Sequence, residues 1–368
     1  MLKSLSNFDV QEKRVLLRCD FNVPLDEKGN ILDDFRIKKS LPTIEYLIEK
    51  GAKPVLLSHL GRPKKGQRFS LKPVALRLEE LLKRKVYPVK SFTESKRKSP
   101  ILFNRVKFLD DCIGEKVEKE IEKMKAGEII LLENLRLHKE EEENDKGFAQ
   151  ELAKLGEIFI NDAFSVCHRE HASIVGIAKF LASGTGFLLE KEIKTLGNLL
   201  KSPKKPLISL VGGKKVESKV KLVDKISEIS DLVLIGSLIK AEIEKKKISL
   251  KYPQKIVKPI DCIFDGERCL SIGPKTVHLF KEKIEKAKTI FWSGPFGKIE
   301  EKKYSKASKD IAKAIVESRA FSVVGGGETV EFVNKIGLAE KFNYVSTGGG
   351  AMLAFLSGEK LPGIEALK

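Results

Sequence analysis

Residues 14–24 read RVLLRCDFNVP, and the prediction of both the fold and the site begins from this stretch. Its apolar run, VLL, is typical of a buried strand. Polar side chains then follow at every second position, namely Arg18, Asp20 and Asn22, and a proline ends the run. Ligands of open parallel sheets bind beyond the carboxyl ends of the strands. The stretch therefore predicts the start of a pocket for a small anionic substrate.

The composition is that of a globular protein with a full core. The length of 368 residues predicts about two domains. The N-terminus lacks the apolar segment of a signal peptide, and no apolar run approaches the length of a membrane span. The 5 cysteines form no CxxC pair, so we expect a reduced cytoplasm rather than a disulfide framework or a zinc site.

The formal net charge of +18 leaves nucleic acid, a membrane surface or anionic metabolites open as partners. Most of the excess is lysine in helical patterns such as EKKYSKASKDIAKAI, which favours a solvated surface. No basic helix is interleaved with aromatic residues, and no helix-turn-helix or RNP-like pattern occurs. Charge alone therefore does not indicate a nucleic-acid partner.

Strand-like and helix-like runs alternate along the chain, which predicts an α/β architecture with parallel sheets. The strand candidates are RVLLR, KPVLLSH, EIILLEN and EIFINDA, followed by KPLISLVGG, DLVLIGS, TIFWSGP, FSVVGGG and NYVSTGGG. One helix is predicted over KEEEENDKGFAQELAKLG, and an amphipathic helix, FLLEKEIKTLGNLLK, precedes a Ser-Pro-Lys-Lys-Pro linker. We place the domain boundary near residues 185–205.

In the first half of the chain, the predicted strands are followed by cations. These are Arg18, His59, Arg62, Arg136, His168 and Arg169, and Arg36 lies in a loop before a helix. Guanidinium groups bind phosphate and carboxylate bidentately and stay charged. Any single arginine could instead pair with an acid, for which the candidates are Asp33, Asp34, Glu133 and Asp162. The whole set favours a cationic pocket, in which Asp20 and Asn22 would accept hydroxyl hydrogens.

In the second half, the predicted strands end in glycines. These are Gly212-Gly213, Gly236, Gly294, Gly325-Gly326-Gly327 and Gly348-Gly349-Gly350. Glycine lets backbone N–H groups approach a phosphate, so the set predicts a nucleotide site. Neither GxxxxGK[ST] nor a strand followed by GxGxxG occurs. Lys215 and Lys219 share a helix face and would reach phosphate oxygens, or alternatively form a solvated pair.

A cationic pocket in one domain and a glycine-lined nucleotide site in another indicate phosphoryl transfer, which depends on positioning and charge stabilisation. Two domains that close would also exclude water.

The motifs together resemble those of the phosphoglycerate kinase family, nearly from end to end. They are RCDFNVP, DDFRIKKSLPTI, LLSHLGRPK, LLENLRLHKEEE, NDAFSVCHREHAS, GGKKVESK, WSGPFGKIE, VVGGGET and VSTGGGAMLAFLSGEKLPGIEAL, in the family's order. The resemblance implies two Rossmann-like three-layer α/β domains with parallel sheets, joined by a hinge helix. The N-terminal domain would span 1–185, with a tail over 355–368 packing back on it, and the nucleotide-binding domain would span 186–354.

The resemblance also implies the activity. A phosphoryl group would pass reversibly from 1,3-bisphosphoglycerate to ADP, giving 3-phosphoglycerate and ATP, with Mg²⁺ and with closure of the two domains. The protein would be a glycolytic, cytoplasmic, monomeric transferase with no nucleic acid or membrane as partner.

The resemblance assigns roles to residues at matching positions. Arg36 and Lys219, with the N–H groups of Gly349 and Gly350, would stabilise the transferring phosphoryl group; Lys215 would hold nucleotide phosphates, Glu300 the ribose and Glu328 the magnesium. The substrate positions are Asp20, Phe21, Asn22, Arg36, His59, Leu60, Gly61, Arg62, Arg136 and Arg169. The nucleotide positions are Gly213, Lys215, Lys219, Gly236, Pro295, Glu300, Gly326, Gly327, Glu328 and Thr329.

Departures from the family pattern lie on the nucleotide side. Glu328 replaces the usual aspartate, Ser293 the usual asparagine and Lys214 the usual alanine; Ser237 and Leu238 interrupt a glycine run, and the segment 241–259 is shorter than usual. About twenty residues near 88–107 look inserted. A non-catalytic binding protein with the same fold and a charge-driven nucleic-acid binder remain as alternatives to the enzyme.

Overall fold

A computed structural model describes residues 2–63, 69–83 and 106–368 of the chain. Within these ranges the protein forms two compact units. Unit 1 comprises the described residues up to Ile193 together with Lys360–Lys368, and unit 2 comprises Lys194–Glu359. That the two units are independent domains with a boundary near residues 185–205 stays a prediction.

Unit 1 contains a parallel six-stranded sheet in the order β3-β4-β2-β1-β5-β6. The strands are β1 (Arg14–Arg18), β2 (Lys53–Leu57), β3 (Val106–Phe108), β4 (Ile129–Leu131), β5 (Ile158–Asn161) and β6 (Ala182–Thr185). The apolar run of β1 is fully buried on both faces, as is expected of a central parallel strand.

The helices of unit 1 bury apolar residues at intervals of three and four positions. They are α1 (Phe35–Glu49), α2 (Lys72–Lys83), α3 (Glu115–Glu122), α4 (Lys139–Glu142) and α5 (Lys146–Lys154), with α13 (Pro362–Glu365) at the end of the chain. The single helix predicted after His138 is wrong, because α4 and α5 are separate. Asn144 has a φ of 54° between them, and Asp145 accepts a hydrogen bond from the N–H of Phe148 and starts a new helix.

Unit 2 contains a second parallel six-stranded sheet, in the order β14-β13-β12-β7-β8-β9. Its strands are β7 (Leu207–Val211), β8 (Leu232–Ile235), β9 (Ile256–Val257), β12 (Thr289–Ser293), β13 (Phe321–Gly325) and β14 (Tyr344–Val345). Its helices are α7 (Val216–Ser227), α8 (Ser237–Lys245), α9 (Pro274–Glu285), α10 (Lys302–Glu317), α11 (Gly327–Lys335) and α12 (Gly350–Leu356). The predicted α/β class with two parallel sheets is confirmed.

A separate antiparallel hairpin in unit 2 was not predicted. Its strands are β10 (Cys262–Asp265) and β11 (Arg268–Ile272), joined by a two-residue turn at Gly266-Glu267. Cys262 and Cys269 form a disulfide across the hairpin, with their Cα atoms 5.8 Å apart. The expectation that the cysteines form no disulfide is therefore wrong for this pair.

Helix α6 (Phe187–Lys201) begins in unit 1, and its residues from Lys194 onward belong to unit 2. Asp162, which follows β5, accepts hydrogen bonds from the N–H groups of Leu188 and Leu189 in its first turn. At the other end of the chain, the N–H of Gly363 donates to the carbonyl oxygen of Cys167, 2.9 Å away, within unit 1.

Most of the segment expected to be an insertion, near residues 88–107, lies outside the described residues. Its last two residues, Val106 and Lys107, belong to strand β3 and pair with β4, so they are part of the sheet. No helix within the described ranges combines the length and the apolar character needed to span a membrane.

Candidate active site

The strand order of unit 1 places the loops after β4, β2, β1 and β5 side by side at the carboxyl edge of the sheet. Hydrogen bonds join these loops to one another. The side chain of Asn134, after β4, accepts from the N–H of Leu60 and donates to its carbonyl oxygen, at 3.1 and 2.8 Å. The Ser58 hydroxyl, after β2, accepts from the N–H of Phe21, after β1, at 2.9 Å. The predicted loops therefore converge.

Asp20 holds Arg36 in this cluster. The Arg36 guanidinium donates to Asp20 Oδ2, and the Ser165 hydroxyl donates to the same oxygen at 2.5 Å. The Arg36 side chain is 27% exposed, whereas that of Asp20 is 2% exposed. Part of the Arg36 side chain thus remains accessible to solvent, and the hydrogen bond to buried Asp20 orients its guanidinium.

The loop after β2 is held from two sides. The Asn22 side-chain oxygen accepts from the N–H of Gly61 at 2.8 Å, and Arg136 donates to the carbonyl oxygen of Gly61 at 2.8 Å. Arg136 Nε also lies 3.2 Å from Glu142 Oε1. Burial lowers the pKa of Arg136 to about 10, so this guanidinium remains charged at neutral pH.

Arg18 is the one cation of the predicted set that the structure buries completely. It donates to the Ser173 hydroxyl at 2.8 Å and to His59 Nδ1 at 3.2 Å. Its guanidinium also lies 3.9 Å from Glu141, a carboxylate with no exposed surface. The expectation that Arg18 faces a ligand is therefore wrong, because its side chain is fully buried and contacts only protein groups in the described residues.

His59 is a neutral hydrogen-bond donor at this edge. Burial, together with the charges of Arg18 and Arg136, holds the pKa of His59 well below its usual value. A guanidinium is only a donor, so His59 Nδ1 accepts and the ring proton lies on Nε2. His59 therefore offers an N–H to a ligand without adding charge.

His168, Arg62 and Arg169 extend the cluster. Partial burial and the charges of Arg169, His171 and Arg62 lower the pKa of His168. Arg62 is exposed and Arg169 is half-buried. Two accessible guanidinium groups in one cluster are suited to binding an oxygen-rich anion.

The acids named as alternative partners for these arginines have other contacts. Asp34 pairs with Arg77, and Glu133 accepts from the N–H groups of Leu71 and Asn134. Asp162 caps helix α6. Asp33 accepts from the N–H of Phe35 at 2.7 Å. Each of the four acids thus has a contact other than the arginines of the cluster among the described residues.

Unit 2 contains a cavity of about 340 Å³ at the carboxyl edge of its sheet. Four of the predicted nucleotide positions line it: Gly213, Gly236, Pro295 and Glu328. Residues that were not predicted complete the lining, among them Leu238, Arg268, Leu270, Phe296 and Ile299. A mostly apolar wall with a few polar groups is typical of a site for a planar ligand such as a nucleotide base.

The glycine turns of unit 2 allow two strand ends to approach closely. Gly294 has a φ of 95°, and a Cβ atom on it would lie 1.9 Å from the carbonyl oxygen of Gly212. The N–H of Gly294 donates to the Thr329 hydroxyl at 2.7 Å, which joins this turn to helix α11. Side chains at these glycines would fill the edge of the sheet where the cavity opens.

Lys219 lies next to the cavity and is 6% exposed. Its amine donates to the Ser293 hydroxyl at 2.5 Å. Burial lowers the pKa of Lys219 to about 7, although the Glu328 carboxylate opposes this shift. Ser293 thus provides the hydrogen-bond partner of the amine.

Lys214, the departure from the usual alanine, donates to Glu300 at 2.6 Å. Glu300 therefore has an ionic partner, and it is not one of the described residues that line the cavity. Lys215 is exposed at the start of α7. The first turns of α11 and α12 are close, because a Cβ atom on Gly349 would lie 3.9 Å from the nitrogen of Gly327.

Glu328, in the first turn of α11, is one of two carboxylates among the described residues that line the cavity, with Asp265, and it is the one that lies beside Gly213. Mg²⁺ is usually held by one or two carboxylates together with substrate phosphates. A single glutamate next to the predicted phosphate-binding turns fits that donor set. Unit 1 contains a separate group of three potential metal ligands, Asp111, Cys112 and His138. Within it, His138 Nε2 lies 2.8 Å from Asp111 Oδ1.

Sequence reasoning missed several residues that shape both sites. Ser58, Asn134 and Ser165 position the substrate loops of unit 1, and the hairpin Cys262–Ile272 forms part of the cavity wall in unit 2. A signal for the hairpin existed, because an Asp-Gly dipeptide between two short apolar runs is typical of such turns.

The comparisons with known proteins agree with one another. The model of the family described as phosphoglycerate kinase matches residues 5–247 and 241–359. The phosphoglycerate kinase of Borrelia hermsii is 40% identical over 410 residues, which cover 100% of this chain and 99% of that protein. That of Aquifex aeolicus is 40% identical over 404 residues, which cover 98% and 96%. The crystal structure of phosphoglycerate kinase from Pyrococcus horikoshii OT3 superposes with a TM-score of 0.85 at 32% identity, covering 100% of this chain and 98% of that one.

Proposed function

The chain belongs to the phosphoglycerate kinase family, and from this premise we propose which of its residues bind each substrate. The activity of the family is glycolytic phosphoryl transfer, with a carboxyl group as the acceptor and ATP or ADP as the nucleotide substrate. The arginine cluster of unit 1 binds 3-phosphoglycerate or 1,3-bisphosphoglycerate. The glycine-lined cavity of unit 2 binds ADP or ATP.

The observation that carries this assignment is the convergence of cationic groups at one sheet edge in unit 1. The charges of Arg36 and Arg136 both lower the pKa of the neutral donor His59, and those of Arg62 and Arg169 lower the pKa of His168. A phosphate ester and a carboxylate at opposite ends of a three-carbon chain need several guanidinium donors. Asn22, Leu60 and Gly61 shape the loop around the ligand, and Asp20 and Phe21 anchor it.

Arg36 neutralises charge at the reacting carboxyl group. In the free protein its guanidinium is oriented by Asp20 and has an exposed face. The acceptor carboxylate is ionised at neutral pH, so the reaction needs no general base. Preorganised positive charge of this kind favours a transition state in which charge spreads over the phosphoryl oxygens.

On the nucleotide side, Lys219 and Lys215 contact phosphate oxygens. The N–H groups at Gly326, Gly327, Gly349 and Gly350 bind phosphate at the starts of α11 and α12, where the helix dipole favours negative charge. Thr329 holds the turn at Gly294 in place. Glu300 binds the ribose only after its pair with Lys214 opens, which distinguishes this chain from the usual family pattern.

Glu328 would hold a magnesium ion together with the nucleotide phosphates. Bound there, the ion supplies positive charge that offsets the negative charge of the phosphoryl oxygens. The carboxylate is one methylene longer than the usual aspartate, and it lies close enough to Gly213 that the cavity accommodates the extra length.

We also propose that the units close around the two substrates to exclude water, and that the protein acts as a monomer in the cytoplasm, where glycolysis proceeds, without nucleic-acid or membrane partners. Small-angle scattering with and without both substrates tests closure. A radius of gyration that does not fall when both are present contradicts it.

Calorimetry tests the assignment of the two sites. The wild-type protein should bind 3-phosphoglycerate and MgADP independently, and Arg62→Ala should weaken only the first. Arg14→Ala is the matched control, since Arg14 lies at the opposite, amino end of β1 and pairs with Glu157. A variant at Arg62 that binds 3-phosphoglycerate as the wild type does would contradict the assignment.

A further inference from the structure

The hairpin Cys262–Ile272 is a part of unit 2 that the phosphoryl-transfer mechanism does not use. Its two strands form a two-stranded sheet of their own outside the six-stranded sheet, and Ser271 of β11 makes an isolated bridge to Gly297. The disulfide joins Cys262, the first residue of β10, to Cys269, the second residue of β11. The Cα separation of 5.8 Å is that of an ordinary disulfide.

The hairpin forms one wall of the cavity that we assign to the nucleotide. Its residues Asp265, Arg268, Cys269, Leu270 and Ser271 all line the cavity. One partner of the disulfide therefore lies directly in the wall of the candidate nucleotide site.

Backbone hydrogen bonds on one side and a sulfur–hydroxyl contact on the other connect the hairpin to the two segments that carry predicted nucleotide residues. The N–H of Ile272 donates to the carbonyl oxygen of Phe296 at 3.0 Å, and the N–H of Lys298 donates to that of Leu270 at 2.9 Å. On the other side, Cys262 Sγ lies 3.5 Å from the Ser237 hydroxyl, next to Gly236. A change in the hairpin is thereby transmitted to both sides of the cavity.

The hairpin cysteines differ in accessibility from the other cysteines. Cys19, Cys112 and Cys167 are free and buried, and burial raises the pKa of each thiol, that of Cys167 to about 12. Cys262 and Cys269 are only half-buried, and the residues of the turn between them are exposed. A small thiol therefore reaches this sulfur pair more readily than it reaches the buried thiols.

We propose that the Cys262–Cys269 pair is a redox modification site that controls the affinity of unit 2 for a nucleoside diphosphate. This inference rests on the proposed nucleotide site. With the disulfide formed, the hairpin is held in the geometry that walls the cavity. With the disulfide reduced, the hairpin must be ordered on binding, and the affinity falls.

The redox step is thiol–disulfide exchange with a small dithiol. One thiolate of the dithiol attacks a sulfur of the pair, and the other cysteine leaves as a thiolate and takes up a proton. The second thiol of the reagent then displaces the remaining cysteine and closes its own ring disulfide. Two electrons pass from the reagent to the protein, and an oxidised low-molecular-weight disulfide reverses the reaction.

The test is calorimetric titration of MgADP into oxidised protein and into protein reduced with a dithiol. Titration of thiols in denaturant should give 3 free groups before reduction, leaving the pair oxidised. We expect reduction to weaken MgADP binding by about tenfold, the cost of ordering one or two side chains. Binding of 3-phosphoglycerate should not change, because the disulfide lies in unit 2.

Variants complete the test. The double variant Cys262→Ser, Cys269→Ser should bind MgADP as the reduced wild type does and should not respond to the dithiol. Cys112→Ser, whose thiol is buried in unit 1, should keep the full response. Should the double variant fail to fold, the comparison of oxidised and reduced wild type still decides.

Two results would overturn the inference. Equal affinity for MgADP in the two redox states would show that the disulfide does not control the site, while the proposed nucleotide site would stand. Absence of MgADP binding in both states, with intact 3-phosphoglycerate binding, would refute the nucleotide assignment and the redox inference with it.

Discussion

Binding of MgADP should take up a proton, and Lys219 should be the group that receives it. The Lys219 amine is buried, and its pKa is lowered from 10.5 to about 7 in the free protein. That change corresponds to about 5 kcal/mol against the charged form. Nucleotide phosphates beside the amine restore the charged form, since opposite charges at short distance raise the pKa of an amine.

The sign and the size of the effect follow from this pKa. At pH 8 about nine in ten Lys219 side chains are neutral before binding, so about 0.9 proton should be taken up; at pH 6 the uptake should fall to about 0.1. Between pH 7 and the higher pKa of the complex, the affinity should fall by about tenfold for each pH unit.

The assay is calorimetry at pH 8 in two buffers with different ionisation enthalpies, because the difference in observed heat gives the number of protons. Lys219→Met should abolish the uptake. Lys221→Met is the matched control, since Lys221 lies on the same helix and is exposed. Heats that do not depend on the buffer, or an equal uptake in Lys219→Met, would refute the assignment of this proton to Lys219.

Four further predictions concern individual residues. Arg36→Ala should lower turnover by about 100- to 1000-fold because it removes charge stabilisation of the transition state. The control variant Arg14→Ala should keep a rate near that of the wild type. A normal rate for Arg36→Ala in a coupled assay would mean that Arg36 has been misassigned. Glu328→Asp should change the magnesium concentration that gives half-maximal rate, and an unchanged titration would reject the metal role. Gly294→Ala should unfold unit 2 or abolish MgADP binding, since its Cβ atom would lie 1.9 Å from the carbonyl oxygen of Gly212. Gly197→Ala is the control, because nothing lies within 4 Å of a Cβ atom at that position. Equal melting temperatures and equal MgADP affinities for the two variants would contradict the steric argument. Burial raises the pKa of Asp162 to about 6, so the stability that comes from its protonated form is fully present below about pH 4 and is lost as the pH rises through 6. The advantage of the wild type over Asp162→Asn in the free energy of unfolding should fall by about 2 kcal/mol from pH 4 to pH 7, and a constant difference would contradict this.

The placement of the cationic cluster was predictable because it depends on sheet geometry. Once RVLLR and its neighbours are recognised as parallel strands, the side chains after each strand must lie at one edge. His59 and Arg136 come together for this reason, and Arg36 joins them from the first turn of α1. Their residue types then follow from the chemistry of anion binding.

The partners of Arg18 could not be predicted in this way. Its hydrogen bond to Ser173 joins residues 155 positions apart, and Ser173 in turn donates to the buried Glu141. Nothing in the local sequence shows which of several acids a buried guanidinium meets. The pattern identified a cation at the strand end, and only the packing decides whether its surface reaches solvent.

Short and edge elements were missed for a different reason. Strand β6 reads ASGT, and its small residues lack the apolar signal of a buried strand. The hairpin cysteines are seven residues apart, a spacing that matches no recognised metal or redox motif. They meet only because the Gly266-Glu267 turn pairs β10 with β11.

The most direct test of the account is a coupled assay of the purified protein with 3-phosphoglycerate, ATP and magnesium. The account predicts turnover that requires all three components and that falls to near background in Arg36→Ala and in Lys219→Met. Folded wild-type protein with no turnover above background, or turnover in either variant equal to that of the wild type, would contradict it.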